Sequence, residues 1–399
     1  MKRVATLLIL LVLTGCAGSP SPVIPPALLT DFEPALRVEQ PWARRIGTGT
    51  AGHFLQLGPA YDRGQVFAAG RRGLVSAHEA ATGDRIWRND LQVPLSSGPH
   101  VAGDLVLVGG TAEIIALQRS DGTLRWRAPV SSESLGEPVR ADDIVVARTI
   151  DGALYGLAAA DGRRLWRVQQ SVPLLSLRGQ SAPLIAANAA IVGFANGRVA
   201  AYGLRDGALL WETTVVVPRG RTELERLADI DGHLALGEGV VFVAGYQGRV
   251  GAIALSNGRP LWSRDISSYQ GLVTAGREIF VSDDEGNVWA LAQHNGGTMW
   301  RQDGLRGRQL STPVVQGDAV VVGDFNGWLH WLSREDGRFL ARARVQDPHE
   351  LFPISQVYDD PLRDVSEEHH VIAAPVVGDD MVFAYDKRGA LGAFRVSNP

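Results

Sequence analysis

The chain has 399 residues, 39 basic against 43 acidic, a formal net charge of −4, 46 glycines and a single cysteine. That one thiol, Cys16, excludes disulfides and thiolate metal centres. The mildly acidic balance speaks against a nucleic-acid binder.

In chain order, Met1-Lys2-Arg3 is a short basic region, and an apolar run over 4–13 follows it. The run is too short to span a bilayer as a helix and reads as a signal peptide over 1–15. The small residues of Leu13-Thr14-Gly15 before Cys16 resemble the bacterial lipobox. This resemblance implies cleavage before Cys16 and lipidation of that residue; the alternative is an ordinary signal peptide with a chance cysteine. Ala17 rather than Asp after the cysteine points, by the sorting preference of such lipoproteins, to the outer membrane. Several acyl chains would anchor firmly. Residues 16–35, with Ser19-Pro20-Ser21-Pro22 and Pro25-Pro26, read as a lipidated cysteine and flexible tether. Loss of 1–15 removes Lys2 and Arg3 and leaves a charge of 37 − 43 = −6.

From 36 to 399 one unit recurs: a short apolar strand, a polar-Gly turn, a second strand, a Gly-containing turn, then Trp. Its fullest forms are Asp121-Gly122-Thr123-Leu124-Arg125-Trp126 and Asp161-Gly162-Arg163-Arg164-Leu165-Trp166. Gly-x-x-x-Trp returns at Gly83/Trp87, Gly207/Trp211, Gly258/Trp262 and Gly296/Trp300, and Asp336-Gly337 leads to Ala341 in the Trp position. With Trp42 the markers fall at 42, 87, 126, 166, 211, 262, 300 and 341, a period near 43 that suits a four-stranded propeller blade. Beyond 341 only three strand-like pieces remain, so the segment around Trp42 is predicted to supply the fourth. The expected fold is all-β: an eight-bladed propeller of four-stranded antiparallel blades, the last closed by the N-terminal strand, leaving no open edge at the seam. Trp42, Trp87, Trp126, Trp166, Trp211, Trp262 and Trp300 are expected to pack between neighbouring blades, where a large ring buries much area. Asn196-Gly197, Asp151-Gly152 and Asn326-Gly327 read as hairpin turns whose two residues tolerate positive φ.

Signatures of chemistry are weak. Gly47-Thr48-Gly49-Thr50-Ala51-Gly52 matches G-x-G-x-x-G, but no helix follows, so turn residues are the better reading. Glu367-Glu368-His369-His370 lacks metal-site spacing and reads as a solvated loop. Asp283-Asp284-Glu285-Gly286-Asn287 falls where other units turn, and Asp229-Ile230-Asp231-Gly232 has no bidentate Glu in phase for a calcium loop. No metal or cofactor is expected.

The unit Leu154-Tyr155-Gly156-Leu157-Ala158-Ala159-Ala160-Asp161-Gly162-Arg163-Arg164-Leu165-Trp166 resembles the repeat of quinoprotein alcohol dehydrogenases. Those enzymes typically carry a vicinal Cys pair, which this chain lacks. Three stretches narrow the resemblance: Pro173-Leu174-Leu175-Ser176-Leu177-Arg178-Gly179-Gln180-Ser181-Ala182-Pro183, Thr222-Glu223-Leu224-Glu225-Arg226-Leu227-Ala228-Asp229-Ile230-Asp231, and Gly327-Trp328-Leu329-His330-Trp331 with Glu335-Asp336-Gly337-Arg338-Phe339-Leu340-Ala341. With the lipobox and the eight units, they resemble the BamB family, propeller lipoproteins of the outer-membrane β-barrel assembly machinery. The long segment over 347–371 departs from that pattern.

The resemblance implies a non-enzymatic scaffold facing the periplasm that binds the POTRA repeats of the barrel subunit BamA and other assembly-complex subunits, with unfolded outer-membrane proteins as a further candidate partner. It places partner contacts at Leu175, Leu177 and Arg178 from the first stretch and at Asp229 and Asp231 from the second. In extended chain Leu175 and Leu177 share a side, as do Asp229 and Asp231. An apolar centre with a charged rim is a common interface design. The alternative is that the leucines are strand core and Arg178–Asp229 is an internal ion pair bracing two loops. The competing function is a quinoprotein-like ligand-binding or redox propeller using the central channel.

Overall fold

Each repeat forms four antiparallel strands paired in the order in which the chain runs, and eight such sheets are present. The computed structural model describes residues 24–177, 179, 181–218, 221–222, 224–346 and 370–398. Blade 1 begins at Ala60–Asp62 and blade 7 ends at Phe339–Arg344. Blade 8 takes Val376–Gly378, Met381–Tyr385 and Ala390–Ser397 from the C-terminal end and Arg37–Arg45 from the N-terminal end. The closing pair is antiparallel, with Arg37 opposite Ser397, Trp42 opposite Ala393 and Arg45 opposite Ala390. The first strand of every blade touches the first strands on both sides, all the way round, so these strands line the axis and the fourth strands form the rim.

Second and third strands are the driest. Ala319–Gly323 is buried along its whole length, and the Val-Val-Val run at its centre packs both faces against neighbouring sheets. This suits β-branched side chains, which fill a pleated surface at little rotamer cost.

The recurring Gly and Trp do their work across blades rather than within one. Each indole donates its Nε1–H to a backbone carbonyl of the next blade: Trp87 to Arg119 at 2.7 Å, Trp126 to Ala159 at 2.8 Å and Trp166 to Leu204 at 2.7 Å, with Trp42, Trp211, Trp262 and Trp300 repeating the contact. The ring lies on the turn glycine of that next blade. A Cβ on Gly162 would stand 2.6 Å from the Trp126 ring, and φ of +74° there also favours glycine. The preceding acidic residue shapes the turn, as when Asp121 Oδ1 accepts the Thr123 N–H at 2.9 Å.

Opposite each Trp, on the third strand, stands a small residue: Ala77, Ala116, Gly156, Ala201, Ala252 and Ala290 in blades 1 to 6. Blade 7 inverts the pair, with Trp331 on the third strand facing Ala341 on the fourth. Trp331 is fully buried against Phe394 of blade 8, ring centres 6.1 Å apart, and its Nε1–H reaches Gln316 Oε1. Blade 8 has no turn between its third and fourth strands, because these are the two ends of the chain, so a Trp at 341 would meet no glycine.

Three expectations change. In the turns Asp151-Gly152, Asn196-Gly197 and Asn326-Gly327 only the glycine is left-handed. The polar residue keeps ordinary φ and caps the turn instead: Asn196 Oδ1 accepts the Arg198 N–H at 3.2 Å. His370 is buried, not solvated, with Nε2 at 3.2 Å from the Gln309 carbonyl; residues 367–369 lie outside the described residues. The largest change concerns the tether. Residues 24–36 lie along the rim of blade 7, because Leu29, Phe32 and Leu36 find apolar partners there. Phe32 stacks on Phe339 with centres 5.5 Å apart, and the N–H groups of Ala35 and Leu36 donate to the Leu340 carbonyl at 2.8 and 3.1 Å.

Candidate partner-binding site

Strand alternation sorts the connections onto two faces. Turns between second and third strands, and the connections from one blade's fourth strand to the next blade's first, share one face; turns carrying the Trp-cradling glycines share the other. The stretches around 171–181 and 217–234 join blades 3 to 4 and 4 to 5, so both lie on the first of these, here called the loop face.

The first stretch bends at Leu174–Leu175 and is apolar on its outside, so Leu175 and Leu177 do not share a side as an extended chain would have them. Leu174 is fully exposed, and Val172 and Leu175 are each 43% exposed. In the second stretch, Val217 and Leu224 are also exposed. Leu177 turns inward and is half-buried, and its N–H donates to Asp229 Oδ1 at 3.1 Å. Beyond it Gly179 lies on Asp231, where a Cβ would come within 2.8 Å of Oδ2.

The second stretch is tied to the propeller by its backbone. Ala228 forms a parallel bridge with Asn196, the Ile230 N–H donates to the Phe194 carbonyl at 3.3 Å, and the Tyr246 N–H donates to the Asp229 carbonyl at 2.9 Å. Ile230 fits over Gly193, where a Cβ would meet it at 2.3 Å. These contacts turn both aspartates inward. Asp229 is 0% and Asp231 3% exposed, so the expectation of a charged rim fails: the pair braces the apolar loop from beneath.

Beneath them lies Arg148, at the loop-face end of Ile144–Arg148 in blade 3, 2% exposed and stacked on the Phe194 ring at 4.9 Å. Its Nε and Nη1, Asp229 Oδ2 and both oxygens of Asp231 are buried without a hydrogen-bond partner. The three side chains therefore feel one another through charge. Burial raises the Asp229 carboxyl to about 6, against the opposing pull of the Leu177 N–H and of Arg148. Burial, and then the neighbouring charge of Asp229, raise Asp231 well above the carboxylate range. Burial lowers Arg148, while the aspartates raise it; an arginine stays cationic in such a site. Burial thus disfavours charge on both carboxyls, most strongly on Asp231, while Arg148 favours it. Arg178 and Cys16 lie outside the described residues, so an Arg178–Asp229 pair remains an expectation.

The family model described as "Outer membrane protein assembly factor BamB" matches residues 71–302, more than half of the chain. The chain belongs to the BamB family. A relative of that name from Pseudomonas aeruginosa is 41% identical over 345 residues, covering 86% of this chain and 91% of its own. Among solved structures, BamB from Moraxella catarrhalis superposes with a TM-score of 0.77 at 24% identity, over 90% of this chain and all of that one. Quinohemoprotein alcohol dehydrogenase from Comamonas testosteroni superposes with a TM-score of 0.68 at 12% identity, over 90% of this chain and 76% of that one, a likeness of fold alone.

Proposed function

We propose that the protein is a non-catalytic scaffold of outer-membrane β-barrel assembly, anchored through a lipidated Cys16 in the outer membrane and facing the periplasm. Its loop face holds the POTRA repeats of BamA and so assists folding and insertion of outer-membrane proteins. Family membership supports the assembly role. The observation that carries the partner site is the 172–177 stretch, apolar outward and tied down from within by Asp229. A loop already ordered before binding loses less entropy when it docks. Leu174 and Leu175 make direct contact in this reading, with Leu177, Arg178, Asp229 and Asp231 shaping or flanking the surface.

Calorimetric titration of the chain starting at Cys16 against the POTRA region tests it. The Leu174→Glu/Leu175→Glu variant should bind at least about 30-fold more weakly, the effect of a hot spot worth roughly 2 kcal/mol. Its melting temperature should stay at the wild-type value, because these side chains face water. Asp229→Arg/Asp231→Arg should lose binding and stability together, since both charges would be buried. A folded wild type that binds no POTRA segment would sink the scaffold reading and turn attention to quinones, calcium and sugars as stabilising ligands.

A further inference from the structure

The segment 24–36 is held by machinery found in blade 7 and not required by the repeat. Gly307, at φ +74°, lets the chain pass so closely that a Cβ there would stand 2.8 Å from the Pro25 carbonyl oxygen. The Ala27 N–H donates to the Arg306 carbonyl at 2.8 Å, and Arg308 Nη1 donates back to the Ala27 carbonyl at 3.0 Å. Farther along, Arg342 Nη1 donates to the Thr30 carbonyl at 3.4 Å, and its guanidinium lies 5.1 Å from the Phe32 ring centre.

One buried carboxylate orients both guanidiniums. Arg308 Nε–H donates to Asp324 Oδ2 at 2.7 Å, and His330 Nε2 lies 3.0 Å from the same oxygen. Arg342 Nε–H reaches His330 Nδ1 at 3.3 Å. Because Arg342 can only donate, Nδ1 accepts and the proton sits on Nε2, directed at Asp324. Asp324 and His330 are both 0% exposed. Burial would raise the Asp324 carboxyl, but His330 and Arg308 hold it down to about 2.

The path has a direction. Ile24 and Pro25 lie at Gly307, in the connection from blade 6 to blade 7, hence on the loop face. The segment then crosses the rim, and Arg37 starts the closing strand opposite Ser397, at the other face. Unclamped, the 21 residues from Cys16 to Arg37 would be a leash of up to about 75 Å attached to the far face. Clamped, eight residues from Cys16 to Ile24 reach at most about 29 Å from the loop face.

We propose that the Arg308–Asp324–His330–Arg342 relay is an anchor-orienting clamp, which makes the loop face, with its 172–177 and 217–234 stretches, the face turned toward the lipid bilayer. The proposal rests on the lipid-anchor reading of Cys16.

Cys16 is the only thiol, so one added cysteine gives a defined pair for spin labelling in the chain from Cys16 onward. Asp303→Cys marks the loop face beside the clamp, and Glu335→Cys marks the opposite face of blade 7. The Cys16–303 distance should be shorter on average than Cys16–335, by up to roughly the 20 Å length of a six-residue strand. Leu29→Ser/Phe32→Ser, which alters only the strap, should broaden both distributions and remove the difference; Arg308→Met should do the same if it folds. Broad, equal distances in the wild type would overturn the clamp. For the membrane, acylated protein goes into phosphatidylethanolamine–phosphatidylglycerol vesicles with an acceptor-labelled lipid. Energy transfer should be stronger from a donor at 303 than at 335, and equal transfer would overturn the orientation. Mass spectrometry of the Cys16 peptide from cells separates the two readings: an unacylated Cys16 with a rigid strap would refute the anchor and leave the scaffold's partner binding untouched.

Discussion

Trp126→Ala should lower the free energy of unfolding by about 3–5 kcal/mol, the usual cost of emptying a large aromatic site in a packed core. The indole is 6% exposed, faces Ala116 across its own blade and covers Gly162 of the next one. Neither neighbour has side-chain atoms that can move into the void, so little of the cavity collapses. The Ala159 carbonyl also loses the indole N–H that reaches it at 2.8 Å. Denaturant titration measures the change, and a fully stable variant would mean that blade contact does not depend on this ring. The converse substitution gives a sharper test. Restoring the repeat consensus with Ala341→Trp should destabilise, by roughly 1–3 kcal/mol for overpacking. Trp331 already fills the space opposite, and blade 8 offers no turn glycine for a second indole. A gain in stability would show that the inverted pair is an accident.

That pair also shows which features the sequence made legible. Blade count, strand order and closure by the Trp42 segment follow from spacing, since the unit repeats at a fixed period and each blade must cover the next. The pairing of Gly162 with Trp126 rather than with its own Trp166 does not follow, because contacts between blades carry no mark in the order of the chain. Pro25-Pro26 pointed to a tether; Leu29, Phe32 and Leu36 were the counter-signal, readable only once Phe339 and the Leu340 carbonyl are known to be open at the rim. At the candidate site the Leu177 N–H reaches Asp229, so the two stretches singled out in the sequence lie side by side. The sequence placed the acids outside, since polarity ordinarily means surface. Their burial depends on Arg148, a residue about 80 positions upstream at the end of an apolar strand, where nothing local distinguishes it.

Arg148→Met is accordingly the variant expected to act most strongly on the site. Methionine fills much of the same space over Phe194 but leaves a carboxylate buried with no counter-charge. Breaking one side of a buried charge pair costs about 3–5 kcal/mol. The sign with pH is specific. Asp229 already has a folded-state pKa raised to about 6 by burial, so its contribution to stability is fully present below its unfolded value near 4 and is lost as pH rises through 6. Removing Arg148 takes away a group that lowers that pKa, so ionisation becomes costlier still. The variant should therefore lie closest to wild type near pH 4, where both carboxyls are protonated, and fall farthest below it at pH 7 and above. Asp231→Asn should cost much less at pH 7 than Arg148→Met, since burial pushes the Asp231 carboxyl up and already disfavours the charge that the substitution removes. Amide exchange at Leu177 adds a local readout: its N–H should lose protection in Arg148→Met near neutral pH, as the bond to Asp229 loosens, before the propeller as a whole unfolds. A destabilisation that does not vary with pH would assign Arg148 to packing alone and separate it from the aspartates that brace the loop.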